Sequence, residues 1–481
     1  MADEVMVDVM IFGASGYTGK YVVRELMKFA HSSASGRPRR VGIAGRNKAK
    51  LSASLQWALE GKPEPAPVSI IEANVNDPSS IAAMCRKARL VVNCVGPYSK
   101  YGEPVVAACV DAGVDYLDIT GEPEFIERIE HKYDEEARKK CSLVVNACGY
   151  DSIPAEFGAI FTARQFQPPA LPQTCDSYLV VSSMHLNVGT WESLVLIIAQ
   201  EKELQALRKS RPRRPRPEIP GAVDKKSLVH YEENSGIWAV RLASADEMMV
   251  RKTYATKIQN PEGLPTSEEE NPEFLSTKRE KWDQIKPVQF GVYFGTKYFV
   301  GLITYFLFGI ILSILAPFKL GRALLFKYPE IFSFGLFKKQ GPSEEQVRNA
   351  YFQQWFVCKG FSDASKPISK TTKPDMKIVT RISGPEVGYL TTPICLIQCA
   401  LMVLDERSKL PKGGVLTPGA AFATTDLIER LSQNGLKFDV ISTTRIQMFL
   451  LLPNQGQGYE TIRAVPRTRL FLIRLDGSPQ I

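Results

Sequence analysis

Residues 5–12 read Val5-Met6-Val7-Asp8-Val9-Met10-Ile11-Phe12, and residues 13–19 continue with Gly13-Ala14-Ser15-Gly16-Tyr17-Thr18-Gly19. The apolar run predicts a strand, and residues 17–30 show the apolar periodicity of a helix. Three glycines between strand and helix permit a tight turn, close approach of the backbone to a pyrophosphate, and close helix–strand packing. The helix N-terminus then offers free N–H groups to phosphate. The turn therefore predicts nucleotide binding by residues 13–19, with a purely structural glycine turn as the alternative.

Further strands follow at regular spacing, with helical stretches between them. They are predicted at residues 40–44, 68–72, 90–94, 115–119 and 143–147. Strand alternating with helix indicates a parallel sheet with right-handed crossovers. The predicted fold class is α/β, with a Rossmann-type doubly wound parallel sheet over residues 1–160.

The end of the second strand predicts which cofactor is bound. An acid at this position favours NAD, whereas an arginine accommodates the 2′-phosphate of NADP. The sequence here is Gly45-Arg46-Asn47-Lys48, without an acid. We therefore expect NADP rather than NAD, with Arg46 as the phosphate ligand and Lys48 in support. The alternative is that Arg46 is merely the first exposed residue of a turn.

Two more strand ends supply predicted cofactor contacts. Asn74 and Val75 end the third strand, where such folds place side chains beside the adenine. Ligands of open α/β sheets bind at the carboxyl ends of the strands, so the stiff loop after the fourth strand is expected to line the crevice. That loop contains Cys94, Val95, Gly96 and Pro97.

Candidate acid/base groups follow the fourth and fifth strands. Glu122, in Asp118-Ile119-Thr120-Gly121-Glu122, is the first candidate for proton transfer, and Tyr98 is the second. Asp118 is a further acid at this rim. For Glu122 the alternative is a first-turn residue favoured by the helix dipole, and for Tyr98 it is packing. Asp151 or Ser152, in the loop after the sixth strand, reads equally as a helix cap.

Composition excludes several classes of protein. The chain has 481 residues, 44% hydrophobic and 23% charged, which is an ordinary globular balance. Its net charge of +9 is modest and partly concentrated in one run, so no nucleic acid is expected as a partner. Nine cysteines without a C-x-x-C pair and four scattered histidines predict no disulfide framework and no metal site. The acidic N-terminus does not resemble a cleavable signal.

The rhythm changes after residue 160, which predicts a second, α+β domain over residues 161–390. Strands are predicted at residues 176–184 and 228–243, with a helix at 190–208 between them. A basic linker at residues 209–226 contains Arg211-Pro212-Arg213-Arg214-Pro215-Arg216-Pro217. It is interpreted as a solvated linker or as a segment attracted to anionic lipid headgroups.

An uncharged apolar stretch runs from residue 298 to residue 318 within a longer apolar segment, 288–337. As a helix, its residues would span about 31 Å, roughly one hydrocarbon core. Lysine and arginine flank it, and aromatic residues crowd its edges. Three alternatives stay open: a buried core helix, a membrane-spanning helix, and a re-entrant or monolayer-embedded hairpin, because glycines and Pro317 could break the stretch.

The motifs at residues 13–19, 45–46, 93–98, 118–122 and 148–154 together resemble the saccharopine dehydrogenase-like oxidoreductases. The resemblance covers residues 5–443 and is to the branch associated with membranes or lipid droplets. It implies a Rossmann domain, a substrate domain on a mixed sheet, and a segment at residues 391–443 that returns to the first domain. It also implies metabolism of glycolipids or fatty chains, since mycobacterial relatives are described as trans-acting enoyl reductases. Residues 444–481 have no family counterpart and are expected to form an atypical tail.

The leading hypothesis is an NADP-dependent reductase acting on an apolar, lipid-like substrate at a membrane or lipid-droplet surface. The expected location is a lipid droplet, the endoplasmic reticulum or a mitochondrial membrane. The alternative is a nucleotide-binding scaffold or redox sensor without turnover, because no strong acid/base signature is present. Saccharopine itself is not the expected substrate, since no arginine cluster is arranged for an amino-dicarboxylate. Association of two copies stays open.

Overall fold

Alternating strands and helices build the first part of the chain, as the sequence pattern predicts. The computed structural model describes residues 6–31, 39–64, 67–224, 226–242, 244–268 and 271–446. Within residues 7–164 the elements are β1 (Val7–Phe12), α1 (Tyr17–Met27), β2 (Val41–Gly45), α2 (Lys48–Leu59), β3 (Val68–Glu72), α3 (Pro78–Arg86), β4 (Ala88–Asn93), α4 (Tyr98–Tyr101), α5 (Glu103–Ala112), β5 (Asp115–Asp118), α6 (Pro123–Lys139), β6 (Leu143–Val145) and α7 (Ile153–Arg164).

The middle of the chain is richer in strands and contains most of the apolar helices. Its elements are β7 (Leu171–Val181), β8 (Leu186–Asn187), α8 (Val188–Ala199), α9 (Glu201–Lys209), β9 (Val229–Glu232), β10 (Ile237–Arg241), α10 (Ala245–Gln259), α11 (Pro272–Asp283), β11 (Gln289–Thr296), α12 (Phe299–Leu315), α13 (Lys319–Lys327), α14 (Pro329–Phe332), β12 (Phe337–Lys338), α15 (Glu344–Asn349), β13 (Tyr351–Phe361) and β14 (Met376–Pro385).

The last described part contributes to both sheets. It begins with a π-helical turn (Val387–Thr391) and continues with α16 (Thr392–Glu406), a 3-10 turn (Arg407–Lys409), β15 (Gly414–Leu416), α17 (Pro418–Phe422), α18 (Leu427–Gln433) and β16 (Lys437–Arg445).

The first sheet has the order β3-β2-β1-β4-β5-β6-β15, and every neighbouring pair is parallel. Six of these strands reproduce the Rossmann order, in which the chain reverses direction across the sheet between β1 and β4. The seventh strand, β15, adds to the edge beside β6. The predicted doubly wound α/β fold is thus confirmed, and the reversal places the ligand crevice above β1 and β4.

The second sheet is mixed, with the order β9-β10-β11-β7-β13-β14-β16. β7 and β11 run parallel, and the other neighbouring strands run antiparallel. The strand predicted at residues 228–243 is in fact a hairpin of β9 and β10, because Gly236 turns the chain with φ +68°. The helix predicted at residues 190–208 is two helices, α8 and α9, which meet at Gln200.

The predicted returning segment, 391–443, divides between the two sheets. α16 is buried along nearly its whole length and packs against α1, and β15 pairs with β6. β16, however, pairs with β14 in the second sheet. Because β16 continues to Arg445, the tail predicted from residue 444 begins inside a strand, and residues 447–481 lie outside the described part of the chain.

The basic linker folds back onto α6 through ion pairs. Arg208, at the end of α9 just before the linker, lies with Nη2 2.7 Å from Glu127 Oε1. Within the linker, Arg211 lies 3.6 Å from Glu127 and 3.7 Å from Glu130, and Arg214 pairs with Glu130. Lys252 Nζ adds a contact of 2.7 Å to Glu130. Neither a fully solvated linker nor a free basic patch describes these arginines, because part of their charge is neutralised by α6.

An apolar layer, which we define as β8, α8, α12, α13, α14 and β12, packs around Trp191. In α12 only Leu302 and Leu312 are buried, so the alternative of a buried core helix is wrong. α12 has 17 residues, about 25 Å of helix, which is shorter than the roughly 30 Å of a hydrocarbon core. The outer face of the layer exposes Tyr298, Phe299, Val300, Ile303, Phe306, Leu307, Ile310, Ile314, Phe318, Leu320, Leu324, Tyr328, Ile331 and Phe334.

Length and apolarity together select a different helix as a candidate membrane span. Among the described residues one helical stretch meets both criteria, Val387–Lys409, with 23 residues and a mean hydropathy of 1.8. Its most apolar window is 78% buried inside the protein. It therefore behaves as the core helix that joins the two sheets.

Candidate active site

The glycine turn between β1 and α1 has the geometry that phosphate binding requires. Gly13 has φ +85°, and a Cβ on it would lie 2.8 Å from Val95 Cγ2. A Cβ on Gly19 would collide with the carbonyl of Gly13. Two of the three glycines are thus required by the turn itself, and Gly13 also brings it against the loop after β4.

The N-terminus of α1 is open to a ligand. Gly16 occupies the N-cap position without a side-chain cap, and the first turn carries no acid. Ser15 and Gly16 are exposed. The neighbouring helices differ: Asn47 caps α2, and Asp77 caps α3. An uncapped helix start with exposed backbone fits the diphosphate of a dinucleotide.

Side chains of the turn have separate roles. The Tyr17 hydroxyl donates to the carbonyl of Pro342, and its ring contacts Tyr389 edge-on with centroids 4.7 Å apart. Tyr17 therefore packs against the second half of the chain, and its predicted cofactor contact is limited to the backbone. Ala14 is buried, and its carbonyl accepts from Ser54 Oγ at 2.8 Å. Thr18 is half-buried in the first turn of α1.

The end of β2 lies beside the turn. Gly13 N donates to Ala44 O at 2.9 Å, and a Cβ on Gly45 would lie 3.6 Å from Ser15 Oγ. Arg46 follows directly and is exposed. Arg46 thus occupies the chain position after the second strand that in a Rossmann fold lies beside the adenosine ribose.

The ends of β3 and β4 complete the rim. Asn74 Oδ1 accepts from Asn76 N at 3.1 Å, so this side chain shapes its own turn, with Val75 half-buried beside it. After β4, Asn93 Oδ1 accepts from Val95 N at 3.0 Å. Burial, aided by the charge of Asp118, raises the pKa of the Cys94 thiol to about 12. Cys94 is therefore a lining residue without nucleophilic character at neutral pH.

Gly96 and Pro97 connect β4 to α4. Gly96 is exposed and Pro97 is buried. The exposed Gly96 can therefore present its backbone to the crevice, while the buried Pro97 fixes the other end of the loop. Both positions lie where the sequence predicts cofactor contacts.

Glu122, the first candidate for proton transfer, is 1% exposed. Its Oε1 accepts from Tyr98 N at 2.8 Å and from Ser193 Oγ at 2.7 Å, and its Oε2 accepts from Ser99 N at 2.8 Å. The carboxylate thus caps α4, a helix other than its own. This geometry favours a capping role, and proton transfer by Glu122 stays a prediction.

Tyr98, the second candidate, is also engaged inside the protein. Its hydroxyl donates to Asn93 O at 2.8 Å and accepts from Ile119 N at 3.4 Å. Its ring packs on Phe125 with centroids 5.7 Å apart. Burial raises the pKa of Tyr98 well above its ordinary value. The packing alternative is therefore the one that the geometry favours.

Sequence reasoning did not identify a buried polar network beneath the crevice. Asp118 Oδ1 accepts from Ala147 N and Thr120 N, and its Oδ2 accepts from Asn146 Nδ2 at 2.7 Å and from Tyr116 OH at 3.0 Å. Burial raises the pKa of Asp118 to about 6, although these hydrogen bonds lower it. Asp118 therefore connects the ends of β5 and β6. The polar residues at these strand ends are the sequence signal from which such a network could have been predicted.

The loop after β6 reaches the second sheet. Tyr150 OH donates to Gln354 Oε1 at 3.4 Å, and Tyr150 N donates to Thr392 Oγ1 at 3.2 Å. Ser152 occupies the predicted N-cap position of α7, but its Oγ donates to Glu156 Oε2 at 2.9 Å and makes no side-chain cap bond. Within the described residues, no three His, Cys, Asp or Glu side chains are grouped to hold a metal ion.

Comparison with known proteins identifies the same features. Residues 9–145 match the saccharopine dehydrogenase NADP binding domain family. A probable mitochondrial saccharopine dehydrogenase-like oxidoreductase of Arabidopsis thaliana is 46% identical over 447 residues, covering 92% of this chain and 98% of the relative. A lipid droplet localized protein of Caenorhabditis elegans is 32% identical over 456 residues, covering 90% and 98%.

A solved structure agrees at the level of the fold. The apo saccharopine dehydrogenase (L-Glu forming) of Saccharomyces cerevisiae superposes with a TM-score of 0.50 at 11% identity, covering 91% of this chain and all of the yeast chain. The Rossmann order, the open glycine turn and the full-length relatives lead to one conclusion. The chain belongs to the saccharopine dehydrogenase-like oxidoreductases, as the sequence motifs indicate.

Proposed function

We propose that this protein is an NADPH-dependent reductase of an apolar, lipid-like substrate and works at the surface of a membrane or lipid droplet. The observation that carries the proposal is the position of the apolar layer, which adjoins the cofactor rim. Lys100 of α4 lies over the ring of Phe326 of α13, with Nζ 5.0 Å from the centroid. An apolar substrate that leaves a lipid surface at this layer would meet the protein next to the loop that follows β4.

The choice of cofactor rests on Arg46. An arginine at the end of the second strand suits the 2′-phosphate of NADPH, and Gly45 keeps β2 close to the turn. The open start of α1 receives the diphosphate. A bound NADPH supplies the hydride, while this chain binds and orients it.

The outer face of the apolar layer supports a lipid surface as the partner. Its large apolar side chains are contiguous along α12, α13 and α14, and such extended exposed patches mark interaction sites. Over residues 297–339 the charged residues are six cations, Lys297, Lys319, Arg322, Lys327, Lys338 and Lys339, and one acid, Glu330. A basic rim around an apolar face is suited to phospholipid headgroups.

The proposed location draws on the relatives. One carries a mitochondrial name and another a lipid-droplet name. Both compartments offer a phospholipid surface on which a partly embedded face can rest. We propose one of these surfaces, or the endoplasmic reticulum from which droplets arise, as the working location.

A second candidate function is a nucleotide-binding scaffold or redox sensor without turnover. The observation that favours it is the state of Glu122 and Tyr98, whose polar atoms are all engaged in structural hydrogen bonds. Such a protein would bind NADPH and lipid as strongly as the proposed reductase does. It would differ in consuming no NADPH.

The test measures NADPH binding and NADPH oxidation separately. Wild type should bind NADPH about 10- to 100-fold more tightly than NADH, because a charge-assisted hydrogen bond to the 2′-phosphate contributes ~1.5–3 kcal/mol to binding. Arg46→Asp should remove this preference, and Arg213→Asp, the same charge change at an exposed linker position, should keep it.

Oxidation of NADPH is then followed with enoyl- and keto-lipids presented in phosphatidylcholine vesicles. Turnover of one of these lipids supports the reductase. Tight NADPH binding without turnover of any lipid supports the scaffold instead. Equal affinity of the wild type for both cofactors contradicts the role of Arg46.

A further inference from the structure

We propose that Glu122 and Ser193 are positioning residues that join the apolar layer to the cofactor loop, so that NADPH binding and lipid-surface binding strengthen each other. The inference rests on the proposed function and adds a regulation of the same site. It starts from one hydrogen bond between two parts of the fold that are distant in sequence.

The cofactor loop depends on Glu122 for its shape. Tyr98 N and Ser99 N are the first donors of α4, a helix that begins directly after Gly96 and Pro97. Both donate to the Glu122 carboxylate. A helix start needs such an acceptor because its first N–H groups have no partner within the helix. Glu122 therefore fixes the position of the loop that lines the crevice.

The same carboxylate is held from the apolar layer. Ser193, in α8, donates its hydroxyl to Glu122 Oε1 at 2.7 Å, the oxygen that also accepts from Tyr98 N. A buried carboxylate depends strongly on its donors, because each lost hydrogen bond leaves charge without compensation. Movement of Ser193 thus changes how firmly Glu122 holds the loop.

α8 is in turn fixed by the helices that face lipid. Trp191, two residues before Ser193, is completely buried and donates Nε1–H to Leu325 O of α13 at 2.9 Å. Its ring packs against Phe308 of α12 and Phe337 of β12, with centroids 5.7 and 5.4 Å away. Docking of α12 and α13 on a surface therefore restrains α8 through Trp191.

A second contact connects the same two regions without Glu122. Lys100 of α4 lies over Phe326 of α13. The loop is thus held against the layer at both ends of α4. A ligand that orders the loop reduces the cost of ordering the layer, and a surface that orders the layer does the same for the loop.

Thermodynamic linkage makes the proposal quantitative. If a lipid surface tightens NADPH binding by some factor, NADPH must tighten surface binding by the same factor. Couplings of this kind lie typically between about 5-fold and 150-fold. We expect at least a fivefold effect in each direction.

The experiment titrates NADPH into the full chain, with and without vesicles of phosphatidylcholine and phosphatidylserine, and floats the same vesicles with and without NADPH. In wild type, the factor by which vesicles tighten NADPH binding should equal the factor by which NADPH tightens vesicle binding, and both should be about fivefold or larger. Ser193→Ala should still bind NADPH and vesicles, but each ligand should no longer tighten binding of the other. Ser193→Thr, which keeps the hydroxyl, should restore this coupling.

Ser432→Ala is the matched control, because the Ser432 hydroxyl donates to Ile428 O within its own helix, α18. It should keep the wild-type factors. Two outcomes overturn the inference alone: wild type binds NADPH and vesicles without coupling, or Ser193→Ala keeps the coupling. Absence of NADPH binding or of vesicle binding in wild type overturns the proposed function itself.

Discussion

Three aspartates on α12 should release the protein from lipid. Leu307, Ile310 and Ile314 are 49%, 54% and 60% exposed, and all three lie on the outer face of the apolar layer. Full burial of such a side chain gains about 1.5–3 kcal/mol, so burying the exposed half of each gains about 2–4.5 kcal/mol for the three together. Their replacement by aspartate should lower vesicle partitioning by about 30-fold or more, since every 1.4 kcal/mol is tenfold.

The assay is flotation of purified protein with phosphatidylcholine and phosphatidylserine vesicles, with NADPH affinity and the thermal midpoint measured in parallel. A one-to-one control compares Ile314→Asp with Leu228→Asp, because Leu228 is 62% exposed but lies outside the layer. Ile314→Asp should weaken flotation and Leu228→Asp should not. If the triple variant floats like wild type while remaining folded, the apolar layer is not the lipid-binding face.

Two further predictions concern the turn and the linker. Gly19→Ala should abolish measurable NADPH binding because its Cβ would collide with the Gly13 carbonyl, whereas Gly309→Ala, with nothing within 4 Å, should leave binding intact and stabilise α12 by about 0.5–1 kcal/mol. Burial raises the pKa of Glu130, but its lysine and arginine partners outweigh this and lower it from 4.5 to about 2. Glu130→Gln should therefore cost up to about 3 kcal/mol of unfolding free energy at pH 7 by urea titration, and the loss relative to wild type should vanish as the pH falls from about 4.5 towards 2. A pH-independent loss, or an equal loss in the exposed Glu135→Gln, would contradict this ion-pair account.

The strands β1 to β6 of the first sheet could be predicted from the sequence because their signals are local. The apolar run before Gly13, the glycine spacing and the polar strand ends each lie within one βα unit, and the predicted strands agree with the observed ones to within a few residues. Arg46 could be placed at the rim for the same reason. Apolar periodicity and turn-forming residues depend on neighbours within such a unit, so they can be recognised in the sequence alone.

The roles of individual polar residues could not be predicted in this way. Glu122 accepts from Tyr98 and Ser99, more than twenty residues earlier, and from Ser193, 71 residues later. No local pattern distinguishes such a cap from a free acid. Arg208 and the linker residue Arg214 are similar, since the acids that neutralise them lie on α6, about eighty residues away.

The sequence also does not distinguish an exposed apolar helix from a buried one. α12 and α16 are both rich in large apolar residues, yet α12 exposes most of them and α16 buries nearly all. Hydropathy and length favour α16 as the membrane segment. What separates the two is tertiary position, since α16 packs against α1 and the strands of the first sheet, whereas α12 lies on the outer side of its layer.

The position of β15 has a consequence for synthesis of the chain on the ribosome. β15 covers the edge of β6, but 268 residues separate Val145 from Gly414. At a usual rate of synthesis, the first six strands wait roughly 15–55 seconds for their neighbour. During that time β6 is an open edge strand, and the surface later covered by α16 is bare, which is the kind of intermediate that chaperones protect. A fragment that ends before residue 392 would keep this edge permanently, so cutting the chain after its sixth strand would leave the nucleotide-binding half with an open, aggregation-prone edge strand and without α16.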